Sequence, residues 1–336
     1  MRAVVYSEKG PASVLRSVER PVPEPRIGEV RVKLARAGVN PTDWKARSGG
    51  TARGDFAEIT PGQDGAGTID AVGLGVDGLS AGDRVWLYLA QHQQAYGTAA
   101  EYVVVPAERA VRLADSASFD LGASLGVPAV TAHRALTSGD VARLSPGAFA
   151  GRHVLVQGGA GAVGNAAIQL ARWAGASVIT TVSSADKAAL ARAAGAHHVV
   201  NYRETDASAA IRELAPDGVD QIVEVALATN NELDQSVIAN GGTIAFYADN
   251  GGGTVSIDLR PTFSLNLRYQ GLLLYTLAAE HLRAAAADLS AAIADGALLV
   301  GDDAGLPLHH FSLEQTAAAH EAVEQGAVGK VLIDIE

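Results

Sequence analysis

The stretch richest in chemical possibility is HVLVQGGAGAVG, residues 153–164. An apolar run, Val154 to Val156, stops at glycines and opens into small residues from Asn165 to Trp173, a pattern that reads as strand, turn and helix. A pyrophosphate needs backbone N–H groups reached without an intervening side chain, and it gains from the positive end of a helix dipole. Gly159, Gly161 and Gly164 keep the GxGxxG spacing. In a chain with 37 glycines that spacing alone is weak. The strand before it and the helix after it turn it into an expected dinucleotide-binding βα unit.

The next strand, residues 177–182, decides which dinucleotide. An NAD site usually carries an acid at this strand tip for the ribose 2′-hydroxyl. Here the tip reads Thr181, Val182, Ser183, Ser184, and Lys187 follows within one helical turn. A 2′-phosphate would meet hydroxyls and a cation there, which favours NADPH over NADH. The same serines also suit the cap of the following helix, and Asp186 is near enough to turn inward.

Polar residues framed by glycine, proline or small residues recur at 37–44, 61–67, 86–96 and 127–136. Asn40 can donate its amide to a developing oxyanion, and Asp43 can orient that amide or a water. Equally, Asn40 before Pro41 is a turn former and Asp43 suits a helix cap. Tyr88, His92 and Tyr96 are candidates to line or lid a substrate pocket, and Pro128 is read as fixing a helix entry before Thr131. With no cysteine, disulfides, thiolate nucleophiles and Cys-ligated zinc are excluded. The histidines, including His133, His153, His309 and His310, show no ligand spacing; His197 and His198 read as opposite faces of one strand.

A chain of 336 residues, 48% hydrophobic and 19% charged, has length for two domains with ample cores. A formal charge of −11 without basic runs weighs against nucleic acid or an anionic membrane as partner. The longest apolar stretches, such as 271–279, are too short for a membrane span, and the beginning of the chain lacks a secretory pattern, so a cytoplasmic protein is expected. Short strands expected at 3–6, 29–37, 68–72, 84–89 and 101–105 suit a small irregular barrel. Buried strands at 153–157, 177–182, 198–201, 219–225 and 243–246 alternate with alanine-rich helices, which predicts a doubly wound parallel sheet. A helix is expected at 278–294, and a strand at 330–335 that returns to the first domain. The cleft between two such domains is the expected place for substrate.

The ordered motifs AGVNPTDW, PGQDGAG, GDRVW, GTAAEYVVVP, VPAVTAHRAL, VLVQGGAGAVG, GAHHVVNYRE, GVDQIVEVA and GKVLIDI run through nearly the full length. Together they resemble the medium-chain dehydrogenase/reductase superfamily, and within it the zinc-independent zeta-crystallin-type quinone oxidoreductases. The resemblance implies an α/β chain: a GroES-like β-rich catalytic domain, 1–122 completed by 299–336, and a Rossmann domain, 123–298. It also implies NADPH as hydride donor and a homodimer or homotetramer joined through the Rossmann sheet edge near QGLLLYT, residues 270–276. Ala160, Gly161, Ala162, Val163 and Gly164 would lie against the pyrophosphate, and Ser183, Lys187 and Tyr202 around the 2′-phosphate. Thr131, Phe246, Tyr247, Ala248, Leu272, Leu273 and Leu274 would surround the nicotinamide, although Tyr202 also suits a strand edge and Phe246 a core. Zinc-dependent members carry cysteine where this chain has Asn40, histidine where it has Gln63, and a four-cysteine lobe absent here. No metal is expected. Relatives often show tyrosines after the asparagine, where this chain has Lys45 and Thr51.

The expected activity is NADPH-dependent reduction of quinones or related conjugated carbonyls, with the protein supplying position, dryness and a hydrogen bond while the cofactor carries the hydride. Water is a sufficient proton source for a hydroquinone dianion. Enoyl or alkenal double-bond reduction remains an alternative, with Lys45, Arg47 and Arg53 as contributors to an entrance for a phosphopantetheine thioester. A non-catalytic NADPH-binding role, crystallin-like or RNA-binding, is the reading from a different class.

Overall fold

The change of texture near residue 120 corresponds to two compact units, Met1–Val127 with Pro307–Glu336 and Pro128–Leu306. The computed structural model describes residues 1–50 and 56–335. In the first unit, β1 (Arg2–Val5) and β2 (Arg16–Glu19) form an antiparallel ribbon. The spine is β3 (Glu29–Val39), in which Val30, Val32 and Leu34 alternate inward and are fully buried. It is followed by helix α1 (Pro41–Ser48) and pairs antiparallel with β4 (Asp64–Val72). Strands β5 (Arg84–Leu87), β6 (Tyr102–Pro106) and β7 (Ala110–Arg112) complete this part of the sheet, β5 beside β4, β7 beside β5 and β6 beside β3.

The chain passes between units inside helix α2 (Phe119–Leu136). Pro128 therefore sits within a helix and does not open one, which corrects the sequence expectation. The helix loses one backbone bond there and continues, as it can when packing holds both halves.

The second unit runs β8 (His153–Gln157), α3 (Ala162–Trp173), β9 (Ser177–Val182), α4 (Ala185–Ala193), β10 (His198–Asn201), α5 (Ala207–Leu214) and β11 (Val219–Glu224). It continues through α6 (Leu227–Val237), β12 (Ile238–Phe246), α7 (Leu259–Ser264), β13 (Arg268–Gly271) and α8 (Ala279–Ala294). The six strands are parallel in the order β10-β9-β8-β11-β12-β13, so the connection reverses between β8 and β11. Ligands in open sheets of this kind gather at the carboxyl ends of the strands beside such a reversal. Leu155, Ile179, Ile222 and Ile244 form its core. His197 precedes β10, and its Nδ1 accepts the Val178 N–H at 2.9 Å, so His197 and His198 are not two faces of one strand.

The chain then returns to the first unit. Strand β14 (Leu308–Ser312) and, after helix α9 (Thr316–Glu324), strand β15 (Lys330–Asp334) join its sheet, β15 antiparallel to β3 with Val331 opposite Val39. Among the described residues, no helix is long and apolar enough to cross a membrane.

One polar staple lies in the second unit. Asp288 of α8 is 4% exposed and accepts His133 Nε2 at 2.8 Å, the Leu144 N–H at 2.8 Å and the Arg143 guanidinium. Burial alone would raise the Asp288 pKa, but the bonds from His133, Arg143 and Leu144 hold it well below the usual carboxylate range. Burial pushes the His133 pKa down, so the ring is neutral at neutral pH. Both depressions carry the same sign: the stability they represent is present above their ordinary values and is lost as pH falls. Asp288→Asn is expected to cost about 3 kcal/mol at neutral pH in urea unfolding. The deficit should narrow as the medium is acidified below the aspartate reference value of 3.8, where the carboxylate that accepts these bonds takes up a proton.

Candidate functional site

The glycines after β8 have different tasks. Gly158 adopts φ +73°, a left-handed conformation that sets the turn. A Cβ at Gly159 would lie 2.2 Å from Thr180 Oγ1, and one at Gly164 would lie 2.4 Å from the Gly158 carbonyl oxygen. Both are packing glycines. Gly161, at φ −82°, is exposed, and its nearest neighbour to an added Cβ is the Gly158 oxygen at 3.5 Å. It leaves the outer side of the turn open. Gly161 is the N-cap of α3, and the first helical bond runs from the Asn165 N–H to the Gly161 carbonyl at 2.8 Å. The N–H groups of Ala162, Val163 and Gly164 precede that bond, which is the arrangement that binds phosphate at a helix start. Ala160, just before, is buried. Gly158 itself was not part of the GxGxxG reading; the doubled glycine was its signal.

At the tip of β9 the two serines make different bonds. Ser184 caps α4 and accepts the Lys187 N–H at 3.4 Å. Ser183 accepts Lys187 Nζ at 3.3 Å, so hydroxyl and ammonium stand together. The Tyr202 N–H donates to the Val182 carbonyl at 3.2 Å, which brings this residue, 52% exposed, to the same tip. Asp186 is exposed in the first turn of α4.

Phe246 ends β12; its carbonyl accepts the Leu272 N–H at 2.9 Å, its ring lies beside Gly271, and it packs on the core of the unit. The Tyr247 N–H donates to the Glu224 carbonyl at 3.2 Å, and burial, then the Glu224 charge, pushes the phenol pKa up. Ala248 is half-buried, and Thr131 is buried on α2. Leu272 and Leu274 are buried whereas Leu273 is 53% exposed, so the three leucines do not present one surface.

In the first unit the Asn40 N–H donates to Asp43 Oδ2 at 2.8 Å, closing the start of α1. Its side chain is 2% exposed and tied on both ends: Nδ2 donates to Asp64 Oδ2 at 2.7 Å and Oδ1 accepts Lys330 Nζ at 2.8 Å. Lys330 also reaches Asp64 Oδ2 at 3.2 Å, while the Val127 N–H donates to Asp64 Oδ1 at 2.8 Å. Burial raises the Asp64 pKa against the pull of these partners. Asp64 and Lys330 were not singled out from the sequence; DG in PGQDGAG and GK in GKVLIDI were the available signals. Gln63 is fully buried, with Nε2 donating to Gln91 Oε1 at 3.1 Å and Oε1 without a hydrogen-bond partner.

The proposed pocket residues are differently placed. Tyr88 is 3% exposed and its hydroxyl donates to the Glu108 carbonyl at 2.7 Å, which makes it part of the core. Tyr96 is 46% exposed with the Arg20 guanidinium 3.8 Å over its ring. His92 is half-buried, and its carbonyl accepts Arg109 at 2.8 Å. Arg47 is fully buried, bonded to the Gly10 carbonyl at 2.7 Å and to Glu324 at 2.8 Å, and so is no entrance residue. Lys45 is half-buried, and Thr51 and Arg53 lie outside the described residues. Among the described residues, no three His, Asp or Glu side chains gather as a metal site.

Residues 26–115 match the alcohol dehydrogenase GroES-like domain, and residues 162–292 match the zinc-binding dehydrogenase family. Human quinone oxidoreductase is 32% identical over 99% of this chain and 97% of its own. Among solved structures, an NAD-dependent alcohol dehydrogenase aligns over all of both chains with a TM-score of 0.86 at 30% identity. Escherichia coli quinone oxidoreductase, solved with NADPH, covers all of both chains with a TM-score of 0.81 at 25% identity.

The glycine geometry separates folding from binding. Gly164→Ala drives a methyl into the Gly158 carbonyl and is expected to lower stability by about 2 kcal/mol in thermal or urea melts. Gly161→Ala, with room for its methyl, should cost at most about 1 kcal/mol at the cap. In fluorescence titration the same variant should weaken dinucleotide binding by about tenfold, through loss of close approach.

Proposed function

The chain belongs to the quinone oxidoreductases of the medium-chain dehydrogenase/reductase superfamily, and from that we propose that it transfers hydride from NADPH to quinones or related conjugated carbonyls without zinc. The observation that carries the cofactor half of this reading is the Ser183–Lys187 pair, 3.3 Å apart at the tip of β9. A phosphate on the 2′ position gains a charge-assisted bond there, and Tyr202 adds a phenol. The turn amides from Ala160 to Gly164 take the pyrophosphate. Thr131, Phe246, Tyr247, Ala248, Leu272 and Leu274 frame the nicotinamide end.

NADPH, when bound, supplies the hydride, and the protein's part is to hold and orient the reactants. The zinc-free reading draws its support from the donors present. Asn40 and Gln63 offer neutral amides, and the Asn40 oxygen already accepts the Lys330 ammonium at 2.8 Å. A zinc ion does not fit a ligand oxygen occupied by a second cation, nor an amide pair without thiolate or imidazole. Asp43 serves the α1 cap, and Asn40 acts by fixing the β3–α1 junction on which the substrate-side loop is built. An electron-poor quinone or enone suits such a site because its acceptor carbon needs little further polarisation. For assembly, β13 ends the parallel sheet, and a second copy continuing it there is our reading of the oligomer; sedimentation should give at least twice the 34.4 kDa chain mass.

The decisive assay follows NADPH oxidation with a benzoquinone, a naphthoquinone, a 2-alkenal and a crotonyl thioester, with NADH in parallel. Turnover with the quinones is expected. Turnover confined to the alkenal or thioester would move the protein to double-bond reduction, and RNA retention without any turnover would replace the enzymatic reading. Lys187→Ala should weaken NADPH by about tenfold or more and leave NADH nearly unchanged, as removal of one charge-assisted contact requires. Equal losses for the two nucleotides would refute the placement of the 2′-phosphate.

A further inference from the structure

Beneath the nucleotide turn runs a chain of buried polar groups that the reading above does not use. The Thr181 carbonyl accepts the N–H groups of Gly158 and Gly159 at 3.2 and 3.3 Å, and the Thr181 hydroxyl donates to Gln157 Oε1. Gln157 Nε2 donates to Asp234 Oδ1 at 2.8 Å. Asp234, on α6, lies against Glu224, the last residue of β11, and both are fully buried. Glu224 is well supplied with donors: the Ala226 N–H, and Asn230 Nδ2 at 3.0 and 3.2 Å from its two oxygens. Asp234 Oδ2 receives no donor at all.

Two carboxylates in contact without solvent cannot both stay charged. A proton on Asp234 supplies the missing bond to Glu224 and completes the chain from α6 to the turn. We propose that Glu224 and Asp234 share one proton in the folded protein, and that this proton makes Asp234 a positioning residue for the dinucleotide turn. The positioning half rests on the nucleotide-binding reading above; the shared proton does not. Burial, then the Glu224 charge, raises the Asp234 pKa well above the carboxylate range, in agreement with the geometry. The titratable and polar groups facing the pair are Gln157 from β8, Tyr247 after β12, Tyr269 from β13 and Asn230 from α6, with no cation among them. Among the described residues, no cation compensates a second negative charge there.

A raised carboxyl contributes stability that is complete below its ordinary value and is lost as pH rises until the native pair gives up its proton. Asp234→Asn tests this with an amide that copies the protonated acid, accepting from Gln157 and donating to Glu224. In the wild-type protein without nucleotide, infrared spectra at neutral pH should contain a protonated-carboxyl stretch that the variant lacks. The wild-type melting temperature should fall relative to the variant's as pH rises above the free carboxylate value of about 4. Absence of the band together with parallel melting profiles overturns the shared proton. With NADPH, wild-type affinity should drop about tenfold from neutral to alkaline pH, the effect of one unit of differential pKa. The variant should stay flat over the same range; equal pH dependence in both overturns the positioning role. If Asp234→Asn does not fold, Glu224→Gln removes the same repulsion and is expected to flatten both profiles. A wild-type chain that binds no dinucleotide at any pH removes the nucleotide reading and the positioning role with it, while the band and the melting curves still decide the proton.

Discussion

The second unit depends on one close approach, the start of α3 against the end of β8. The Gly158 oxygen lies 2.4 Å from where a Gly164 Cβ would stand, so helix and turn touch backbone to backbone. That contact fixes where the first free N–H groups of the helix emerge and leaves Gly161 facing outward. The neighbouring strand enforces it, since Thr180 fills the space beside Gly159 and the Thr181 carbonyl holds both turn amides. The turn thus offers bare backbone N–H groups at a helix start, the kind of arrangement that suits a phosphate.

The first unit is organised around a buried charge and its answer. Asp64 has no exposure, and Lys330, 2% exposed, reaches it from the far end of the sequence, with Asn40 bridging them. Such a pair contributes less to stability than to geometry, because desolvation offsets much of the attraction and removal of either partner strands the other. Its effect is to lock the β3–α1 junction and the start of β15 into one arrangement.

How much of this could be read from residues alone depended on the range of the interaction. Strands β8 and β9 begin and end where the sequence placed them, because an interior parallel strand is a largely apolar run cut off by glycine or serine. The Ser183–Lys187 pair was legible for the same reason, being local. Short edge strands such as β2, β7 and β14 carry too few inward residues to leave a pattern. Pro128 misled because a helix held by packing tolerates what an isolated helix does not. The Asn40 amide, judged by its neighbours Pro41 and Asp43, gave no sign of Lys330, since only the β15–β3 register brings them together. Tyr88 and Arg47 looked available for chemistry until Glu108, Gly10 and Glu324 were seen to hold them.

The return of β15 to β3 also bears on how the chain is made. Residues 128–306 are encoded as one unit ahead of residues 307–336, so when they have been made the first unit, begun earlier, still lacks β14 and β15. Until Lys330 arrives, a buried Asp64 would have no cation, so the nascent first unit must leave that centre open to water or protonated. The later-encoded unit is therefore free to fold first and the earlier one to close around the final strand, an inversion of the usual N-to-C order that follows from where one lysine is encoded.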